Sequence, residues 1–343
     1  MSIDIGPTAP PAQDAGPSPH RVSIGQVIGV VLAMTVVLGT VFVAFALPAV
    51  SAEPHRVPIG VAGPAAAADQ VRQGLDRAVP EGFEVTGFGS EQALRDAVLD
   101  RDSYGGLVLG SQGTKIVIAT AASPVVAQVI TTLGGKLAAG SGAAPQVQDI
   151  KPLPADDPRG AGMAAAALPL AIGGLLPAIA LTRRFPGRTG THIAAASAFA
   201  LVAGIGVTAI LKYWFGSVDG DYWPVALGMT LGIAAITFTV LGLESLAGLP
   251  GLGIGAGLIV LLGNPLSGLA TAPEMLPSGW GTFGQFLPPG ANGTLLRSTA
   301  FFDGAGAAQP VLVLCGWAIL GLVLCAISLL YRNRKDRVGG LGF

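Results

Sequence analysis

Side chains able to do acid–base, nucleophilic or metal chemistry are few in this chain and stand far apart. Three histidines, His20, His55 and His192, fall in no H-E-x-x-H or comparable ligand spacing. Asp156 and Asp157 form a carboxylate pair of the kind that can exchange a proton. Pro152, Pro154 and Pro158 surround it, so it reads as part of a solvated tether. Gly134-Gly135-Lys136-Leu137 lacks both the spacing and the hydroxyl of a P-loop, and no G-x-S-x-G occurs. The expectation is a chain that is not an enzyme and holds no metal or cofactor.

Polar and helix-breaking residues set in apolar sequence are more informative. Glu244 stands in the Gly/Pro-rich bend Gly242–Gly251. If the bend dips into a membrane, Glu244 is a carboxylate in hydrocarbon and a functional candidate; if it reaches water, it is a loop residue. Pro169, Pro177 and Pro265, with Asn264, interrupt apolar runs. Broken helices can line a substrate path, and they also occur as ordinary packing devices. Arg183, Arg184, Phe185 and Arg188 form the one compact basic group with an aromatic inside it.

These residues sit among six apolar stretches, Ile24–Leu47, Ala161–Thr182, Thr191–Leu211, Trp223–Leu243, Leu249–Ala270 and Pro310–Tyr331. Each is roughly 20 residues or more, the length of helix that crosses a bilayer. None carries a charge in its interior, where one would cost at least ~2.5–3.5 kcal/mol. Charged residues make up 11% of the chain, against about 25% for a soluble domain. The expected fold is a mostly α-helical polytopic membrane protein of six transmembrane helices. The first run, about 24 residues long, exceeds a signal-peptide core and reads as an uncleaved anchor. A net charge of -1 leaves no basic patch for nucleic acid. Cys315 and Cys325 lie on one predicted helix about 15 Å apart, too far for a disulfide, and read as packing residues.

Charge sets the orientation. Arg21, the group Arg183–Arg188 and the tail with Arg332, Arg334, Lys335 and Arg337 fall on one side of the predicted spans, whereas the opposite short loops carry only Lys212 and Arg297. The positive-inside rule then puts both termini in the cytoplasm, in a plasma (inner) membrane, with membrane lipid as the first partner. The Pro-rich leader 1–23 reads as disordered and 332–343 as a cytoplasmic tail.

Residues 51–160 fall outside and alternate strand and helix signals. The strands are Val57–Ala62, Phe83–Phe88, Gly105–Leu109, Lys115–Ala119 and Val147–Ile150. The helices are Ala67–Val79, a run from an N-cap at Ser90 to Arg101 with Ala93, Leu94, Ala97 and Val98 inward, and Ser123–Ala139. This gives an extracytoplasmic α/β domain between helices 1 and 2, with its own core and able to fold alone. A five-helix membrane domain, 161–331, follows. Its outer segment 271–309 is too apolar for a free loop and too broken to span, so it reads as re-entrant or interfacial.

The residues Pro273-Glu274-Met275-Leu276-Pro277, Phe286-Leu287-Pro288-Pro289-Gly290-Ala291, Leu296-Arg297-Ser298 and Phe301-Phe302, with Pro54-His55-Arg56-Val57-Pro58-Ile59-Gly60-Val61, carry a resemblance. With one span, an outer α/β block and five further spans, the chain resembles type-2 ABC exporter permeases. Within that family it looks most similar to the Pip-like (phage infection protein) branch and its actinobacterial members. The resemblance implies export of a lipid, polysaccharide, peptide or drug, a separate ATP-binding subunit, and a homodimer or a heterodimer with a second permease. It would make Arg183, Arg184, Phe185 and Arg188 the ATPase contact. Glu244, Asn264, Pro265, Pro169 and Pro177 become candidates for the translocation path or gate. Two other readings stay open: a membrane receptor or assembly factor using the outer block, and half of a resistance–nodulation–division type pump. The pump would need membrane carboxylates, and Gly228–Thr239 has none.

Cysteines placed at Ser90 and Ser278 should react with an impermeant thiol reagent in intact cells, and one at Thr189 should not. Labelling of the 189 loop from outside would reverse the topology.

Overall fold

The computed structural model describes residues 23–110, 113–139 and 144–339. The expected disordered leader, over 1–22, and residues 340–343 of the expected tail lie outside the described residues. The chain divides into two units between Val43 and Ala44.

Helix α1, Ile24–Val50, makes up the described part of the first unit after Ser23 and runs on into the second. Ser23 opens it with a capping box: the Gln26 N–H donates to Ser23 Oγ at 3.2 Å and the Ser23 N–H to Gln26 Oε1 at 3.0 Å. No charged residue interrupts it.

In the second unit, β1 (Val57–Ala62), α2 (Ala65–Ala78), β2 (Phe83–Phe88), α3 (Glu91–Leu99), β3 (Gly105–Gly110), β4 (Gly113–Ile118), α4 (Pro124–Ala139) and β5 (Gln146–Asp149) form the α/β block. The sheet is mixed, in the order β2-β1-β3-β4-β5, with only β3 and β4 antiparallel. Ser90 caps α3 as expected, accepting from the Ala93 N–H at 3.1 Å. Leu94 and Val98 are fully buried, but Ala93 is exposed, because only one stripe of a short helix faces the sheet. The block was expected to have its own core. Instead its apolar interior, with Val61, Leu94 and Ile116, is continuous with Met163, Met229, Met275 and Phe301 beyond it.

Five helices are long and apolar enough to cross a membrane: α1, α5 (Ala161–Arg184), α6 (Thr189–Ala209, extended by a π-helical turn to Trp214), α7 (Tyr222–Ala247) and α11 (Ala308–Gly339). The chain is thus built as a multi-pass membrane protein. The expected span Leu249–Ala270 departs from this. It is helical only over Leu249–Gly263, as α8 (Leu249–Ala256) and a π-helical turn, and ends against Asn264-Pro265. Two short helices follow, α9 (Trp280–Gln285) and α10 (Pro288–Phe301).

Helix α7 is the axis of the bundle and packs against α5, α6, α8, α10 and α11. Close approach is set by small residues. A Cβ on Gly321 of α11 would lie 2.2 Å from the Phe238 carbonyl carbon of α7, and one on Gly232 would lie 2.1 Å from Asn292 Oδ1. Gly251 and Gly255 face α7 in the same way, whereas Gly253 and Gly257 face open space. The turn from α7 into α8 is made by Gly248 at φ 64, ψ -136, a conformation only glycine adopts readily.

Two local expectations are corrected. Asp157 is buried, not a solvated tether: its carboxylate accepts from the Ala161 and Gly162 N–H groups at 2.7 and 2.8 Å and anchors the start of α5. Burial pushes its carboxyl up, but the polar groups around it, the Gly162 and Ala161 N–H donors among them, outweigh this and hold it below the usual range. Thr189 is also buried, at the start of α6, so the exposed neighbour Gly190 is the better labelling position.

Gly321→Leu should drive α11 off α7 and lower stability by roughly 1–3 kcal/mol or more. Gly316→Leu, on the same helix, should be silent, because a Cβ there would meet nothing within 4 Å. Thermal melts of the two variants in detergent distinguish them, and equal effects would refute the packing argument.

Candidate functional site

A cleft of about 540 Å³ lies where the α/β block meets the segment after Asn264. That is within the range of small-ligand pockets. One wall comes from strand and helix ends of the block: His55 and Arg56 before β1, and Arg101, Ser103 and Tyr104 between α3 and β3. The other wall is Pro273, Glu274 and Leu276–Gly279, with Gln285 of α9 and Thr294 of α10.

The block is fastened to this segment by polar contacts. Tyr104 donates its hydroxyl to Glu274 Oε2 at 2.7 Å, and the His55 N–H donates to the Glu274 carbonyl at 2.8 Å. Ser123, the first residue before α4, accepts from the Val126 N–H and donates to the Thr271 carbonyl at 2.7 Å. Arg101 turns back from the end of α3 at φ 67. Its Nη1 donates to the Thr294 carbonyl and to Ser298 Oγ, and its Cζ lies 5.4 Å over the Phe302 ring. The Lys151–Asp303 pair, 3.9 Å apart and open to water on the Asp303 side, adds little.

Burial shapes the charges. Burial lowers the Arg101 pKa, against the pull of Tyr104 and Glu274. The Tyr104 hydroxyl is pushed far up by burial, then by the Glu274 charge and their hydrogen bond, so it stays a donor at neutral pH. Arg297 of α10 is 4% exposed; its Nη2 donates to the Leu269 carbonyl at 2.9 Å and its Nε has no partner among the described residues.

From the cleft a file of polar groups runs into the bundle. Thr294 Oγ1 donates to Gln285 Oε1 at 2.6 Å, Gln285 Nε2 donates to the Ser267 carbonyl at 3.0 Å, and Ser267 Oγ donates to the Asn264 carbonyl at 2.8 Å. Asn264 and Asn292 then share a cavity of about 10 Å³ with Ser267, and neither Oδ1 has a partner among the described residues. Such a cavity holds about one water. Asn292 faces Gly232 near the middle of α7, so the file reaches the central level of the bundle. Beyond it lies an apolar cluster with Ala178, Ala196, Phe238, Leu241 and Ile259.

The residues singled out in the sequence fall into three places. Asn264 and Pro265 stand at the helix break and Asn264 ends the file. Pro169 and Pro177, expected to break a span, sit inside the continuous helix α5, one exposed and one buried. Glu244, half-buried in the last turn of α7, and Arg183, Arg184 and Arg188, all exposed, lie at the end of the bundle away from the block. There Arg184 covers the Phe185 ring at 5.3 Å, and His192 Nε2 is 2.8 Å from the Phe185 carbonyl. Sequence reading did not assemble Arg101, Tyr104, Glu274 and Arg297. An arginine in the apolar run Leu295-Leu296-Arg297 was the available signal. Comparison with family models, curated proteins and solved structures gives no match.

Tyr104→Phe should leave the Glu274 carboxylate without its donor and cost about 1–3 kcal/mol. Glu274→Gln should make that loss smaller in the double variant. A double-mutant cycle of melting midpoints checks the coupling, and strict additivity would rule the bond out as a fastening.

Proposed function

We propose that this chain is a membrane transport subunit, and specifically the membrane-spanning permease of an ABC-type exporter acting with a separate ATP-binding subunit. The observation that carries the reading is the polar file from the outer cleft to the broken helix at Asn264. Polar side chains are costly in a membrane interior and are kept where they serve a path, and a helix broken at mid-depth is the usual place for one. The apolar cluster beyond the file acts as the closed inner gate. The tie from Arg101 to α10 lets the outer block and the gate move as one. With no P-loop motif in the chain, ATP hydrolysis falls to a partner, and Arg183, Arg184, Phe185 and Arg188 form its docking face. Both termini lie in the cytoplasm, the membrane is the plasma membrane, and two permease copies flank the path.

One observation favours a second reading, a receptor or assembly factor. The cleft of about 540 Å³ belongs to the outer seam, whereas the cavity at Asn264 and Asn292 in the bundle is about 10 Å³. In that case the cleft takes a partner and nothing crosses.

The test is capture of the protein from its native membrane. An ATPase should co-purify and be lost with Phe185→Ala while the topology stays intact. Recovery of the intact protein with no ATPase would sink the exporter reading and leave the receptor.

A further inference from the structure

The cleft presents an arginine edge with no protein acceptor. Arg101 uses only Nη1 within the protein; Nε and Nη2 have no acceptor among the described residues, and neither is sealed from solvent. Nε and Nη2 form one side of the planar guanidinium, the parallel pair of N–H groups that matches a carboxylate or phosphate. No carboxylate lies within ion-pair distance of Arg101 or Arg297 among the described residues. The carboxylate on the facing wall, Glu274, is engaged by Tyr104. At the rim Arg56 is paired with Glu84 at 3.1 Å, and Glu81 is exposed to water. The interior thus holds two guanidinium groups against one carboxylate, in a region where burial magnifies the imbalance.

The backbone points to the same place. Four residues other than glycine have left-handed φ among the described residues: Arg56 (52), Glu81 (57), Arg101 (67) and Asp303 (53). Three of them line the cleft. Such conformations cost free energy and gather where a ligand is held.

The structure assigns to this cleft a binding site for an anionic oxygen group, phosphate or carboxylate, held in a two-pronged grip by Nε and Nη2 of Arg101. The group is either the head of an anionic lipid, whose chains leave past Pro273, Leu276 and Pro277, or a soluble anion. Calling the ligand a cargo rests on the exporter reading; the binding itself does not.

The full chain in a neutral detergent is titrated with short-chain phosphatidylglycerol, with diacylglycerol of the same chains, and with inorganic phosphate at matched ionic strength. The melting midpoint is followed. A saturable rise with phosphatidylglycerol and none with diacylglycerol is expected. A rise with phosphatidylglycerol alone assigns the lipid head, and one reached equally with inorganic phosphate assigns a soluble anion. Arg101→Lys keeps the charge but loses the fork and should weaken binding roughly tenfold. Glu274→Gln keeps an acceptor for Tyr104, removes the repelling charge and should strengthen binding several-fold, a gain that a misfolded variant cannot mimic. An equal response to diacylglycerol, no response to either anion, or unchanged affinity in both variants would overturn the assignment. Because ATPase capture is a separate measurement, a chain that binds the anion but recruits no ATPase would lose the exporter reading and keep this one.

Discussion

Helix α10 is buried on nearly every side and yet brings Asn292, Arg297, Ser298 and Thr299 into the interior. That single constraint arranges most of its surroundings. A buried guanidinium needs acceptors, and Arg297 takes one from the Leu269 carbonyl, which fixes the course of the chain after the helix break. Asn292 needs room, and Gly232 gives it by having no side chain. Thr299 bonds back to the Leu295 and Leu296 carbonyls and so needs no outside partner. Ser298 accepts from Arg101, and this draws the α/β block down onto the bundle.

The block is therefore less a separate domain than a cap whose core continues into the membrane part. Its mixed sheet and three helices are complete by themselves, but its lower surface is finished only by Ala272, Met275 and Phe302. Polar ties at Thr271, Glu274, Thr294 and Ser298 add direction to that apolar contact. Hydrophobic burial holds surfaces together without choosing a register, whereas hydrogen bonds of fixed geometry choose one. A movement of α10 would accordingly be felt at β1 and α3.

What could be read from the sequence follows from the range of the forces involved. Helix lengths and strand positions are local, set by apolar runs and caps, and Ser90, Val57–Ala62 and Phe83–Phe88 stand where their patterns placed them. The fifth apolar run misled because hydropathy weighs Asn264-Pro265 lightly against the leucines around it, while the backbone does not: proline has no N–H to continue the ladder. Pro169 and Pro177 misled in the opposite sense, since α5 runs unbroken through both. The charge cluster was out of reach for a different reason. Arg101 and Ser298 are separated by 197 positions, and no pattern along the chain pairs them. Asp157 looked solvated because neighbouring prolines suggest a tether, but its role depends on the N–H groups of the helix that follows.

Depth also explains why the polar groups are graded as they are. The charged residues Arg101 and Glu274 line the cleft, where water still reaches, and the buried Arg297 follows Thr294 of the cleft by one helical turn. Below them come neutral groups only, Thr294, Gln285, Ser267 and the two asparagines, each cheaper to bury than a charge. Below those come Ile236, Phe238, Val240 and Leu241, and the two hydroxyls between them, Thr237 and Thr239, donate to the Ile233 and Ala235 carbonyls of their own helix. The cost of keeping a polar group rises along that line as the alternatives to protein partners disappear, so the number and charge of such groups fall. The two unpaired Oδ1 atoms at the end of the file sit where this gradient meets the helix break, and there the amides face a void large enough for about one water. That coincidence gives the break at Gly263–Asn264 a polar lining and brings the end of the short helix and the buried amides to one place.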